Sequence, residues 1–369
     1  ITIRKNRITA ASTQIDVKTA KAALFPSLSF STSQQVVNRP YQETSSRVSG
    51  SEIISSNSKT SYNGNYGLNA SWTLYNGNKR LKTIQQEKLN NQVAELDVAT
   101  SENNIQESIA QVYIQILYAA ESVKVNESTL QVSIAQRDRG QELLNAGSIA
   151  KSDFAQLEAQ VSTDRYQLVT AQATLEDYKL QLKQLLELDG ENEMNIYLPA
   201  LSDENVLAPL PTKKDVYIRA LSLRPEIEAS KLNVEASELG IGIAKSSYLP
   251  TISLSAGIGT NHTSGSDFTF GEQVKNGWNN SIGLSVSVPI FNNRQTKSAV
   301  QKAKLQYETS MLSLLDEQKT LYKTIEGLWL DANSAQQRYA AANEKLKSTQ
   351  ISYELISEQF NLGMKNTIE

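Results

Sequence analysis

No cysteine occurs in the 369 residues, so neither a disulfide frame nor a thiolate metal site is available. His262 is the one histidine, which argues against imidazole catalysis and leaves no cluster of donors around a metal. No run of eighteen apolar residues exists; a membrane-spanning α-helix is excluded, and a transmembrane barrel is not. An excess of one charge is missing too. Lys and Arg number 36 against 39 Asp and Glu, a net −3 that gives no electrostatic reason to expect nucleic acid or an anionic membrane surface as partner. With 39% apolar residues and a mean hydropathy of −0.39, the chain is poorly supplied for one large core, and an elongated shape is expected. Ile1 to Lys21 reads as the body of a helix with no start signal, and Glu369 falls six residues after Gly363, so the chain reads as a trimmed fragment.

What is present is a duplication. Tyr75, Asn76 and Gly77 reappear as Phe291, Asn292 and Asn293, and Gly147 reappears as Gly363, at one offset (291 − 75 and 363 − 147 are both 216). Landmarks that keep one spacing over about seventy residues imply two copies of a unit whose register matters. The repeats are placed at 1–189 and 214–369, the second truncated at its distal turn, with a linker or side domain at 190–213. Each half reads as helix, strand, loop, strand, long helix and tight turn, and the first adds a return helix.

The eight prolines (Pro26, Pro40, Pro199, Pro209, Pro211, Pro225, Pro250 and Pro289) sit at element boundaries, and the stretches between them lack breakers. From Asn78 to Arg139, and from Ser148 to Asp189, there is neither Gly nor Pro. A helix from Asn78 to Asn145 would be roughly 100 Å long. Apolar residues advance by alternate steps of three and four through Ile325, Leu328, Ala332, Ala335, Tyr339, Ala342, Leu346, Thr349, Tyr353, Ile356 and Phe360, a coiled-coil seam. Ile105, Ile109, Val112 and Ile116 keep the same rhythm, as do Leu168, Ala171, Leu175 and Tyr178 on the return helix.

Elsewhere the period is two. Leu68, Ala70, Trp72 and Leu74 alternate with Asn69, Ser71 and Thr73; Ile252, Leu254, Ala256 and Ile258 alternate with Ser and Gly; Ile282, Leu284, Val286 and Val288 do the same; Leu28 and Phe30 stand among Ser27, Ser29 and Ser31. Four strands are expected, at about 26–34, 63–74, 251–260 and 278–289, in pairs joined by polar loops at about 35–62 and 261–277 that hold no core. Aliphatic faces backed by Ser, Gly, Asn and Thr fit a barrel with lipid outside and water within; half of a soluble antiparallel sheet is the alternative. Four strands cannot close a barrel alone, so several chains would share one. Gly240-Ile241-Gly242 and Gly257-Ile258-Gly259 lack the Lys-Ser/Thr of a phosphate loop, no carboxylate pair is marked for acid/base work, and no cofactor is implied. Trp72 and Trp278 suit an interfacial aromatic belt or, for Trp72, core packing.

The duplicated plan is accompanied by Phe25-Pro26 and Leu249-Pro250 entering strands, by Leu74-Tyr75-Asn76-Gly77 and Ile290-Phe291-Asn292-Asn293 leaving them, by Ala146-Gly147-Ser148 followed by Asp153, and by Arg224-Pro225-Glu226. Their order and spacing carry a resemblance to the TolC-like outer-membrane efflux family over essentially the whole length. It implies a mainly α fold with β: long antiparallel coiled-coil helices, four strands per chain, and a homotrimer with a twelve-stranded barrel in the outer membrane and helices in the periplasm. It implies a passive, non-enzymatic export duct of a tripartite efflux or type I secretion system, served by a periplasmic adaptor and an inner-membrane transporter, and in contact with outer-membrane lipid but not nucleic acid. A structural coiled-coil adhesin, or a periplasmic adaptor with a soluble β-domain, is the alternative. Gly147 and Gly363 would mark the distal turns, since Gly supplies the left-handed residue that ends a helix. The resemblance places the aperture there and suggests Asp153, Lys365, Glu369 and Phe360 as gate residues, with Lys365 to Asp153 as the closing ion pair. A phenyl ring at 360 lacks the hydroxyl of the family's linking aromatics.

Overall fold

The computed structural model describes residues 1–41, 45–49, 52–56, 59–188, 196–197, 206–266, 268–362 and 364, with backbone alone at 45–49, 52–56 and 360–361. In chain order the elements are α1 (Thr2–Ala22), β1 (Ser27–Asn38), β2 (Ser45–Ser49), β3 (Glu52–Ser56), β4 (Thr60–Asn76), α2 (Lys79–Asn145), α3 (Lys151–Leu185), α4 (Lys213–Leu223), α5 (Pro225–Ser246), β5 (Thr251–Thr263), α6 (Phe270–Asn276), β6 (Asn279–Ser287) and α7 (Gln295–Asn361). The chain divides into two units. One comprises residues 7–96 and 224–320, the other 1–6, 97–223 and 321–369.

The first unit holds an antiparallel sheet in the order β1-β4-β5-β6, so β1 and β6 are its open edges. β1 and β4 stay in register from Ser27 opposite Ser71 to Asn38 opposite Thr60, well into the segment expected to be loop. The ladder continues because backbone pairing needs no apolar face, and beyond it β2 and β3 form a short hairpin. Leu74 departs from its expected place. A bulge between Thr73 and Tyr75 leaves it without a partner, and Tyr75 stands opposite Ile252 instead.

At the sheet's helix-side end, α2, α5 and α7 are tied together by side-chain hydrogen bonds, two of them to backbone carbonyls. Lys82 Nζ donates to the Gly242 carbonyl at 3.2 Å, Gln86 to Ala236 at 2.9 Å, and the Ser237 and Ser310 hydroxyls meet at 2.7 Å. Gly240 and Gly242 lie inside α5, where a Cβ on Gly242 would come within 3.0 Å of Lys82 Nζ; close approach to α2 explains the residue. Ile227, fully buried, anchors the start of α5 after Pro225 at its first helical position.

The second unit is built on the α2–α3 hairpin, whose seam buries Ile116, Ala119 and Ala120 on α2 and Val161 and Leu182 on α3. Alanine at the seam lets the helices approach closely. The described residues of 190–213 lie along helices of this unit: Tyr113 donates to the Tyr197 carbonyl at 2.7 Å, Gln336 to Val206 at 2.9 Å and Ala208 at 2.8 Å, and Trp329 Nε1 to Pro211 at 3.0 Å. Lys213 pairs with Glu326 at 3.0 Å and lies over the Trp329 ring. The α7 seam beyond Tyr339 is exposed, with Leu346, Tyr353 and Ile356 uncovered, because no described helix lies against it as α3 lies against α2.

Candidate channel wall and distal turn

The ladder register sorts the sheet into two faces. Leu28, Ala70, Ala256 and Ile282 form one cross-strand row, flanked by Phe30, Leu68 and Ile258 on one side and by Trp72, Leu254 and Leu284 on the other. The opposite face reads Ser27, Ser71, Ser255 and Gly283; then Ser29, Asn69, Gly257 and Ser281; then Ser31, Gly67, Gly259 and Asn279. Leu28 is 70% exposed and Ile282 79%, while Ser29, Asn69 and Ser255 are exposed on the other side. A soluble half-sheet would bury its apolar face. Here both faces are uncovered among the described residues.

Nothing on β1, β4, β5 or β6 carries a formal charge, for the four strands contain no Asp, Glu, Lys or Arg. The polar side chains satisfy the wall itself. The hydroxyls of Ser27, Ser255 and Ser285 donate to the cross-strand carbonyls of Ser71, Gly283 and Ser253 at 3.3–3.4 Å, and Asn69 and Asn65 donate to the hydroxyls of Ser31 and Ser33 at 3.4 Å.

At the helix-side end both repeats turn through the same elbow. Gly77 and Asn78 have φ of 68° and 63°, and their counterparts 216 residues on, Asn293 and Arg294, have 50° and 64°. Two successive left-handed residues redirect the chain from strand to helix, and Asn76 and Asn292 each reach four residues forward, to the Arg80 N–H at 3.4 Å and the Thr296 hydroxyl. The duplication thus preserves a backbone conformation that the side chains only partly reveal. Trp72 closes this end by donating to the Leu24 carbonyl at 2.7 Å.

At the outer end, Tyr66 stacks on His262 with centroids 5.8 Å apart, and Phe270 meets the imidazole edge-on at 5.1 Å. His262 occupies the space above Gly64, where a Cβ would fall 2.1 Å from the ring. It is a packed side chain, half-buried between Tyr66, Phe270 and Gly64. The expected loop 261–277 contains α6, begun by a capping box: the Thr269 N–H donates to Glu272 at 2.8 Å and the Glu272 N–H to the Thr269 hydroxyl at 3.4 Å. The Thr269 backbone donor, with help from its hydroxyl, holds the Glu272 carboxyl below its ordinary value of 4.5. A depressed carboxylate stabilises the fold above that ordinary value and loses the contribution as pH falls through the lower folded value. Protection factors of the amides at 270–276, taken against the intrinsic exchange rate at each pH, are therefore expected to fall below about pH 4.5. Glu272→Gln should remove that pH dependence.

The distal turn is formed as the glycine pattern requires. Gly147 has φ 74°, Ser148 N–H donates to the Leu143 carbonyl at 2.8 Å and Gly147 N–H to Leu144 at 2.9 Å, the double closure that ends a helix on a left-handed residue. Asp153 stands in the first turn of α3, half-buried, and accepts from the Ala150 N–H at 3.3 Å and the Ser152 hydroxyl at 3.3 Å. Ala150 has no side-chain acceptor, so only half of a capping box is made. Gly140, not singled out from sequence, lets Leu157 of α3 pack directly on α2, since a Cβ there would lie 2.3 Å from Leu157 Cδ1. Gly363, Lys365 and Glu369 lie outside the described residues, as does the Phe360 side chain.

Residues 2–187 and 216–369 match the family described as outer membrane efflux protein. The chain belongs to that family. This efflux-family chain is 24% identical over 270 residues to the outer membrane efflux protein BepC of Brucella suis, covering 73% of this chain and 56% of that protein. It is 22% identical over 286 residues to the outer membrane protein TolC of Escherichia coli K12, covering 75% and 57%. It thus spans under two thirds of either relative. A crystal structure of CusC, described in connection with transmembrane channel formation, superposes with a TM-score of 0.81 at 18% identity over 99% of this chain and 80% of that one, a likeness of fold.

Proposed function

We propose that the chain is the subunit of a passive export duct in the bacterial outer membrane. Three copies join β6 of one protomer to β1 of the next, making a twelve-stranded barrel with the aliphatic face on lipid and the Ser/Asn/Gly face on water. The observation that carries this reading is the uncharged sheet with two uncovered faces of opposite polarity and two open edges, which hydrocarbon tolerates only when closed. The helices continue the duct into the periplasm, where an adaptor and an inner-membrane transporter deliver the substrate, as in a tripartite efflux or type I secretion system. Residues 1–189 and 214–369 act as its two repeats, joined at 190–213. Purified in detergent, the protein is expected to run as a trimer and to conduct ions in planar bilayers. A monodisperse species without detergent and without conductance would favour a soluble adaptor or adhesin.

We further propose that Asp153, Lys365, Glu369 and Phe360 form the aperture beside the turns at Gly147 and Gly363. Asp153→Ala is expected to reduce cation preference, measured as the reversal potential in a salt gradient. Because Asp153 also holds the Ala150 N–H in the first turn, its loss should loosen the start of α3 by about 0.3–1 kcal/mol. Asp153→Asn keeps an acceptor and removes the charge. An unchanged reversal potential in both variants would leave Asp153 a helix cap only.

A further inference from the structure

The chain-wide balance of −3 averages over a strong local excess. Residues 18–26, 77–86, 239–250 and 288–307, which lead into or out of the four strands on their helix side, contain ten basic residues and no acidic one. These are Lys18, Lys21, Lys79, Arg80, Lys82, Lys245, Arg294, Lys297, Lys302 and Lys304, and the nearest acids are Asp16, Glu87, Glu238 and Glu308. All lie in one unit and within seventeen residues of a strand end; at 1.5 Å per helical residue the farthest, Lys304, stands about 14 Å along α7 from its first residue. The loops at the other end of the sheet mix both signs: Arg39, Glu43, Arg47, Glu52 and Lys59 in one, Asp267, Glu272 and Lys275 in the other.

Two members are committed to the junction itself. Arg80 donates to the Ala23 carbonyl at 2.9 Å and to the Thr73 carbonyl, and Lys82 to Gly242. The other eight are exposed, and among the described residues none of the ten is in an ion pair. Large apolar side chains stand exposed at the same level: Phe25 at 73%, Tyr248, Ile290 and Phe291. Basic heads just beyond an apolar band, with aromatic rings between them, match the border where acyl chains give way to phosphate headgroups.

We propose that this collar binds anionic phospholipid headgroups in the leaflet that faces the helical part of the molecule. The proposal rests on the duct reading, and charge complementarity selects the occupant: a surface of unpaired ammonium and guanidinium groups attracts an anionic lipid, and a zwitterionic one only weakly. The functional consequence is a fixed insertion depth and a preferred lipid shell at the barrel's inner rim.

Trp72 reports from this level, being bonded to Leu24 beside the collar. With Trp278→Phe and Trp329→Phe, it becomes the sole indole. In vesicles of brominated phosphatidylglycerol or brominated phosphatidylcholine at low salt, the anionic lipid is expected to quench Trp72 at least about threefold more effectively. The ratio should fall towards one in about 1 M NaCl, where the screening length is ~3 Å. It should also fall to one when Lys21, Lys79, Lys245, Arg294 and Lys297 are all changed to Gln, and be kept when the four lysines are changed to Arg.

A ratio near one in the parent protein at low salt, or a preference untouched by salt and by the Gln changes, would overturn the proposal. So would Gln variants that shift the reversal potential towards cations while leaving the lipid ratio alone, because the collar would then line the lumen. If neither brominated lipid quenches Trp72, the membrane reading itself fails.

Discussion

In the proposed trimeric duct, Ala256→Arg is expected to abolish membrane insertion, whereas Ser255→Arg, one residue earlier, should leave assembly intact and move the ion preference towards anions. Both positions lie mid-strand, and the register decides between them. Ala256 shares its row with Leu28, Ala70 and Ile282, and Ser255 shares its row with Ser27, Ser71 and Gly283. Arginine on the lipid face near the bilayer midplane costs about 2–4 kcal/mol per chain. Over three copies that is roughly 6–12 kcal/mol, comparable with the whole stability of many domains. On the other face the guanidinium meets water, and Gly283 beside it leaves room. The yield of folded trimer in the outer-membrane fraction, with the reversal potential of whatever inserts, checks both halves. If Ala256→Arg inserted normally, or Ser255→Arg failed to insert, the face assignment would have to be reversed.

Gly77→Val should destabilise the strand-to-helix elbow by about 2–5 kcal/mol, combining the left-handed penalty with overpacking. At φ 68° any Cβ is strained, and here it would meet the Ser246 carbonyl oxygen at 2.8 Å and Leu249 Cβ at 2.9 Å. The Gly77 carbonyl also accepts the Ser246 hydroxyl at 2.8 Å; displacement of the turn breaks that bond and leaves the hydroxyl to the Gly242 carbonyl at 2.9 Å. Asn293→Gly at the matching position should be neutral or mildly stabilising, because its φ of 50° already suits glycine. Urea midpoints of detergent-solubilised protein separate the two, and equal midpoints would show that the elbow is not constrained as described.

The face pattern of the sheet was legible from period-two alternation, since β-strands alternate sides whatever their tertiary partners. Leu74 escaped because a bulge depends on the neighbouring strand, and nothing local in Thr73-Leu74-Tyr75 announces it. The breaker-free runs announced α2 and α3, and Gly147 announced the turn between them, because left-handed helix ends favour one residue type. Gly140 is the same residue used differently: its φ is ordinary, and only packing against Leu157 explains it. α6 could have been found, for Thr269-Phe270-Gly271-Glu272 carries the Thr-x-x-Glu spacing of a capping box inside a segment dismissed as polar loop. The basic collar was hidden by summation. Its members are scattered over nearly three hundred residues, and only the fold gathers the four strand ends.

The serine hydroxyls of the wall have a mechanical consequence. Ser27, Ser255 and Ser285 already donate their protons to carbonyls across the ladder. In a duct built as proposed, those three hydroxyls would turn lone pairs rather than protons to passing cargo, and the donors left to it include the amide groups of Asn65 and Asn69 and the hydroxyls of Ser31 and Ser33. The grip on cargo would therefore be set by a few amide and hydroxyl positions and not by the whole polar face.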